Sequence, residues 1–75
     1  MKKIVLTGAA GRLGSYLREP LSRMADTLVS SDLTDDIGKL HDGESYVRAD
    51  LAKYDDIHAL LEGADMVVHF GAIGD

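Results

Sequence analysis

Three glycines spaced three apart, Gly8, Gly11 and Gly14, follow directly on a short apolar run and open a segment of helical period. No other feature narrows the choice of fold as much. Gly8 permits a sharp exit from a strand, where φ is expected to be positive. Gly11 has no Cβ, so backbone amides can approach a pyrophosphate closely, and Gly14 allows the helix to pack tightly on the strand before it. The helix N-terminus then presents unpaired N–H groups and partial positive charge to phosphates. A glycine triplet by itself also marks ordinary turns, so its surroundings decide the reading.

Those surroundings alternate short apolar runs with helical period, the pattern of βαβ units and a parallel sheet. Residues 2–7 have the composition of a strand buried on both faces. Beyond the turn, Leu13, Leu17, Leu21 and Met24 recur at helical spacing and are expected to share one face. Pro20 lies inside that pattern and predicts a kink or break near residues 18 and 19. Residues 27–31 read as a second strand with Asp32 just past its end. Residues 34–44 read as an exposed polar loop, with at most a turn of helix around residues 36–40. A third strand is expected at 45–49. Tyr54, Ile57, His58 and Leu61 carry helical period, Gly63 is a natural left-handed stop, and residues 66–70 form a fourth strand. The expected fold is α/β: half of a Rossmann fold, with about four parallel strands in the order 3-2-1-4 and helices on both faces.

Asp32 follows Gly14 by 18 residues. That is close to the spacing at which a carboxylate after the second strand accepts hydrogen bonds from an adenosine ribose. The same charge repels a 2′-phosphate, so the expected cofactor is NAD rather than NADP. Alone, Asp32 would be read as a turn residue opening a loop; the glycine turn at the right distance favours the ribose. Arg12 either adds a charge near the phosphates or points into water. A Walker-type loop is excluded, because Leu13 and Gly14 stand where it needs glycine and lysine.

Composition removes other classes. The 75 residues carry a formal net charge of −5 and no cysteine, so neither disulfides nor a thiolate metal site supports the small core. Lys and Arg are outnumbered and unclustered, which argues against nucleic acid and anionic membrane as partners. The apolar run at residues 4–6 is too short for a secretory leader, so a cytoplasmic protein is expected.

The Thr7-to-Gly14 turn, Asp32, Asp50-Leu51 and the string from Asp65 to Ala72 resemble the N-terminal half of extended short-chain dehydrogenases/reductases, the NAD-dependent epimerase/dehydratase family. Residues 6–14, Met24-Ala25 and residues 31–33 are most similar to its uronate dehydrogenase branch. The resemblance implies pyrophosphate contacts at Gly8, Ala10, Gly11, Arg12 and Leu13, beside the packing role of Gly14. It implies ribose contact at Asp32, adenine-side contacts at Asp50 and Leu51, and cofactor contacts at Gly71, Ala72 and Ile73. A helix N-terminal cap is the competing reading of Asp50, and core packing is a compatible one for Leu51.

The family's chemistry uses a Tyr with a Lys four residues later, since an unperturbed phenol is a poor base at neutral pH. Here Tyr16, Tyr46 and Tyr54 are followed at that spacing by Pro20, Asp50 and His58. No catalytic residue is therefore assigned. No metal ligands are assigned either, because His41, His58 and His69 share no ligand spacing. His69 reads as a hydrogen-bonded core or cofactor-edge residue, and Tyr46 and Tyr54 as packing groups.

The expectation is thus a 1–75 dinucleotide-binding segment lacking the catalytic half. It would be the NAD(H)-binding portion of an oxidoreductase for a uronic acid or nucleotide sugar, without turnover alone. The alternative is a free-standing nucleotide-binding or interaction module. The fourth strand would be covered by a missing C-terminal half or by a second copy in a homo-oligomer.

Overall fold

Residues 4–7 are all buried, and they point alternately into two different cores. Ile4 and Leu6 pack with Ala9, Leu21 and Leu28, while Val5 packs with Val29, Ala49 and Leu60. A strand feeding two cores must have a layer on each side, which is why its residues are apolar without alternation. The computed structural model describes residues 1–70. Its elements are β1 (Lys3–Thr7), α1 (Arg12–Met24), β2 (Thr27–Asp32), β3 (Glu44–Arg48), α2 (Tyr54–Leu61) and β4 (Met66–His69).

The sheet is parallel throughout, in the order β3-β2-β1-β4. Helix α1 covers the face of Ile4, Leu6 and Leu28, and α2 covers the face of Val5 and Val29. The expected α/β half-Rossmann order and the helices on both faces are therefore present. In register, Thr7 pairs with Ser31 on one side and His69 on the other, so the carboxyl ends of β2, β1 and β4 meet at one rim. The open end of β1 is tied down as well: Asp65 Oδ2 accepts the Lys2 and Lys3 amides at 3.0 and 2.9 Å.

Several expectations are corrected. Pro20 does not break α1, which runs as one helix through residue 24. The proline lies on the exposed side, where water can satisfy the carbonyl it leaves without an N–H partner. Second, the inward face of α1 is Gly14, Arg18 and Leu21, with Leu17 half-buried. Leu13 and Met24 are more than half exposed. Third, Glu44 begins β3 and is buried instead of ending an exposed loop, and the connection before it has no helical turn at residues 36–40, where at most one was expected.

The face of α2 is also rotated from the expected one. Leu60 is its buried residue, Tyr54 and His58 are exposed, and their rings stack loosely at 5.9 Å. The glycine stop after this helix is present, with Gly63 at φ +74°. Strand β4 occupies an edge of the sheet, and Val67 and Phe70 remain about half exposed.

Candidate functional site

The rim at the carboxyl ends of β1 and β2 is where the glycine turn lies. Gly8 leaves β1 with φ +70°, a conformation costly for any residue with a Cβ. The Gly11 amide closes the turn onto the Gly8 carbonyl at 3.0 Å. A Cβ on Gly14 would lie 2.0 Å from that same oxygen, so the first turn of α1 rests directly on the loop. Two glycines thus set the path and the contact, as the sequence indicated.

Gly11 is the N-cap of α1, and its extended backbone brings no side-chain cap. No acidic residue stands in the first helical turn either. The amides of that turn therefore keep the donor capacity and positive end of the dipole that a bound anion would use. In front of them lies an open cleft of about 400 Å³ lined by Gly8, Gly11, Arg12, Leu13, Gly14, Asp32 and Phe70. Arg12 and Leu13 are both exposed here.

Asp32 joins the turn from the neighbouring strand. Its Oδ2 accepts the Ala10 amide at 2.9 Å and its Oδ1 accepts the Leu33 amide at 2.7 Å. A carboxylate has about four acceptor positions, so further donors can still be bound. The Ala10 amide, expected at a pyrophosphate, is directed to Asp32 in this structure. Ala9 adds a backbone bond to Ser31 at 3.0 Å, which fixes the turn to the end of β2.

Asp50 and Leu51 are not part of the cleft lining. Asp50 Oδ1 accepts the Ala52 amide at 2.9 Å, and the Asp50 amide is taken by Asp56 Oδ2 at 2.9 Å. The N-cap of α2 is Lys53, so Asp50 caps the turn ahead of the helix rather than the helix itself. It borders a smaller cavity of about 110 Å³ with Leu33, Arg48, Ala49, Lys53 and Asp56. Leu51 packs against the core under α2. Gly71, Ala72 and Ile73 lie outside the described residues.

Sequence reasoning missed several residues around the cleft. Phe70 lines it, and its amide reaches both the carbonyl and the hydroxyl oxygen of Thr7, at 3.2 and 3.1 Å. Its place next to Gly71 in the fourth run was the available signal. His69, expected as a hydrogen-bonded core or cofactor-edge residue, is exposed and so not core, and it is hydrogen-bonded, with its Nδ1 2.6 Å from Thr7 Oγ1. Tyr46 donates its hydroxyl to the Asp32 carbonyl at 3.0 Å and also contacts the Thr34 carbonyl. Burial, and then the nearby Asp32 charge, raise the Tyr46 phenol above its ordinary value and keep that hydroxyl a donor.

Beneath α1 is a buried polar cluster. Glu44 accepts Arg18 Nε at 2.7 Å, Arg18 Nη2 at 3.1 Å and Ser30 Oγ at 2.6 Å. The amide and Nδ1 of His41 each lie 2.9 Å from Glu44 Oε1. Burial alone would raise the Glu44 carboxyl, but the bonds from Arg18, Ser30 and His41 outweigh it and lower it to about 2. Among the described residues no group of three or more His, Asp and Glu is arranged to hold a metal ion, and no helix is long and apolar enough to cross a membrane.

Comparison with known proteins gives one consistent result. Residues 4–75 match the NAD dependent epimerase/dehydratase family. The chain is 41% identical over 71 residues to a uronate dehydrogenase of Pseudomonas syringae pv. tomato, covering 95% of this chain and 26% of that protein. It is 40% identical over 73 residues to the uronate dehydrogenase of Agrobacterium fabrum, covering 97% of this chain and 27% of that protein. Among solved structures, uronate dehydrogenase from Agrobacterium tumefaciens, a mutant form complexed with NAD, superposes with a TM-score of 0.88 at 40% identity, over 97% of this chain and 27% of that one. Glucuronic acid dehydrogenase from Chromohalobacter salexigens gives 0.87 at 32% identity, over 99% and 27%. The chain therefore spans about a quarter of the length of the curated relatives it matches.

Proposed function

The chain belongs to the NAD dependent epimerase/dehydratase family, and on that premise we propose that it is the NAD(H)-binding portion of an oxidoreductase acting on a uronic acid or a nucleotide sugar. The observation that carries this reading is the meeting of three features at one cleft. They are the glycine turn, the uncapped N-terminus of α1 and the Asp32 carboxylate. A Cβ would stand 3.3 Å from the Gly8 carbonyl oxygen at Gly11, a tight contact, and 2.0 Å from it at Gly14, a clash. The donor set fits a pyrophosphate, and the carboxylate fits vicinal ribose hydroxyls while repelling a 2′-phosphate. The family match and the NAD complex of a 40% identical structure support the same cofactor.

In this reading Gly8, Gly11, Arg12, Leu13 and Gly14 bind and orient the pyrophosphate, and Asp32 orients the adenosine ribose. Bound NAD supplies a hydride acceptor. The chain has no Tyr-x-x-x-Lys pair, so proton transfer falls to residues other than those of this segment. The uronic acid is inferred from the uronate dehydrogenase relatives and not from a sugar-reading residue here.

Calorimetric titration with NAD and NADP tests the proposal. NAD is expected to bind saturably and NADP more weakly. Asp32→Ala should weaken NAD, while Asp32→Asn, which keeps an acceptor for the Ala10 amide, should narrow the gap between NAD and NADP. No NAD binding by the folded chain overturns the reading.

A second reading is favoured by β4, an edge strand among the described residues with Val67 and Phe70 half exposed. It takes the chain as a small nucleotide-binding module that self-associates through that edge. Light scattering separates the two: a monomer removes the second reading, and a dimer lost in Val67→Lys supports it.

A further inference from the structure

Three polar side chains that dinucleotide binding leaves unused lie on one side of β3. Glu44, Tyr46 and Arg48 are two apart, so they share one face of the strand. Tyr46 and Arg48 hold the start of the connection from β2, and Glu44 holds its end. Arg48 donates from Nε to the Leu33 carbonyl at 2.7 Å and stands 3.4 Å from Asp35 Oδ1. Tyr46 reaches the carbonyls of Asp32 and Thr34. Glu44 takes the His41 amide, and Arg18, paired with Glu44, donates to the Ile37 and Lys39 carbonyls at 3.0 Å each.

Residues 33–43 contain no helix, so these side chains do the holding that regular backbone bonds would otherwise do. The consequence for the site lies at the start of the connection. The Asp32 carbonyl accepts the Ala49 amide at 3.1 Å, as the last backbone bond of the β2–β3 ladder, and the Tyr46 hydroxyl beside it. The next two carbonyls, of residues 33 and 34, are held by the Arg48 and Tyr46 side chains of β3. Asp32, at the head of that stretch, lines the cleft and bonds the glycine turn. Neither Tyr46 nor Arg48 lines the cleft itself.

We propose that Tyr46 and Arg48 are positioning residues for the adenosine end of the dinucleotide site: by anchoring the carbonyls of residues 32–34 they set the place of the Asp32 carboxylate, and with it the preference for a ribose diol over a 2′-phosphate. This rests on the function proposed above. A carboxylate distinguishes the two through short hydrogen bonds and through charge repulsion, both of which fall off with distance. A backbone shift of about 1 Å at residue 32 weakens both at once. Ligand preference then depends on two side chains that touch no ligand.

The test is calorimetric titration of the chain with NAD and with NADP, for the parent, Tyr46→Phe, Arg48→Met and the double variant, with thermal unfolding measured alongside. Tyr46→Phe removes only the hydroxyl, and Arg48→Met keeps the stem without the donor. The ratio of NAD to NADP affinity is expected to fall about fivefold to tenfold in the double variant, and by less in each single one. A merely structural role would lower the unfolding temperature and leave that ratio where it was, and such a result overturns the proposal. Should the double variant not fold, Arg48→Met decides alone, since that side chain is 64% exposed and its loss leaves the core intact. A parent chain that binds neither dinucleotide overturns the functional reading, and this one with it. A parent that prefers NAD, with variants that keep the preference, overturns this one only.

Discussion

The Glu44 carboxylate of β3 receives the Arg18 guanidinium of α1 on both of its oxygens, at 2.7 and 3.1 Å, across 26 positions of sequence. The Glu44 side chain is wholly out of water and that of Arg18 is 9% exposed. Such a pair adds little over an apolar pair of the same shape, but breaking one half leaves a buried charge alone. Here the guanidinium also holds two loop carbonyls, so its loss would release the β2–β3 connection as well.

Arg18→Met is accordingly expected to cost about 3 kcal/mol, within the range for breaking a buried pair. Arg18→Met with Glu44→Leu should recover part of that loss. Urea unfolding of the single and double variants measures both. A single variant within 1 kcal/mol of the parent, on the order of an exposed pair, would show that the cluster is solvated.

Acid should act through the same carboxylate. Its value in the folded chain is about 2, against 4.5 when free of the fold. A lowered carboxyl stabilises the folded state fully above the unfolded value, and the contribution is lost as pH falls toward the folded one. Stability should therefore decline between about pH 4.5 and pH 2, by up to about 3 kcal/mol from this group. Glu44→Gln should be less stable at neutral pH and flatter over that interval. An equal slope in parent and variant would assign the acid sensitivity to other groups.

Gly14→Ala is expected to be poorly tolerated although alanine favours helix. The added carbon would sit 2.0 Å from the Gly8 carbonyl oxygen, and that neighbour is backbone, which cannot rotate away. Forcing α1 outward should cost about 3 kcal/mol and weaken dinucleotide binding through the displaced turn. A variant with parent-like stability and parent-like NAD affinity would mean the helix can lift off the loop without cost.

Pro20→Ala should do the opposite. Proline deprives the middle of α1 of one backbone bond, yet its ring lies on the exposed side of the helix. Restoring the N–H is expected to raise stability by about 1–3 kcal/mol with NAD affinity unchanged. Thermal unfolding checks the first part and calorimetry the second. A lower unfolding temperature would show that the ring itself packs usefully.

The alternation of strands and helices, the strand order and the glycine turn were all legible in the sequence. Each depends on local pattern: apolar runs too short for helices, glycines at fixed offsets, and the hand of a crossover. The rotation of α1 was misjudged because leucine spacing alone defined its face. Gly14 holds the clue, since the residue resting on the loop must point inward, and Arg18 and Leu21 follow it at helical steps of four and seven. Leu13 and Met24 then fall to the flanks. A buried arginine is not suggested by periodicity, because its burial depends on a carboxylate 26 residues away.

By itself, then, the sequence determined the order of elements, the sharp turn out of β1 and the placing of a carboxylate at the end of β2. All three follow from φ, from side-chain volume and from short-range spacing. Only the tertiary structure decided which side of each helix is buried, that Glu44 belongs to the core, and that β3 holds the residues following Asp32. These depend on partners brought together by the sheet. A polar group can be buried only where its hydrogen bonds are met, and that condition is set in space, not along the chain.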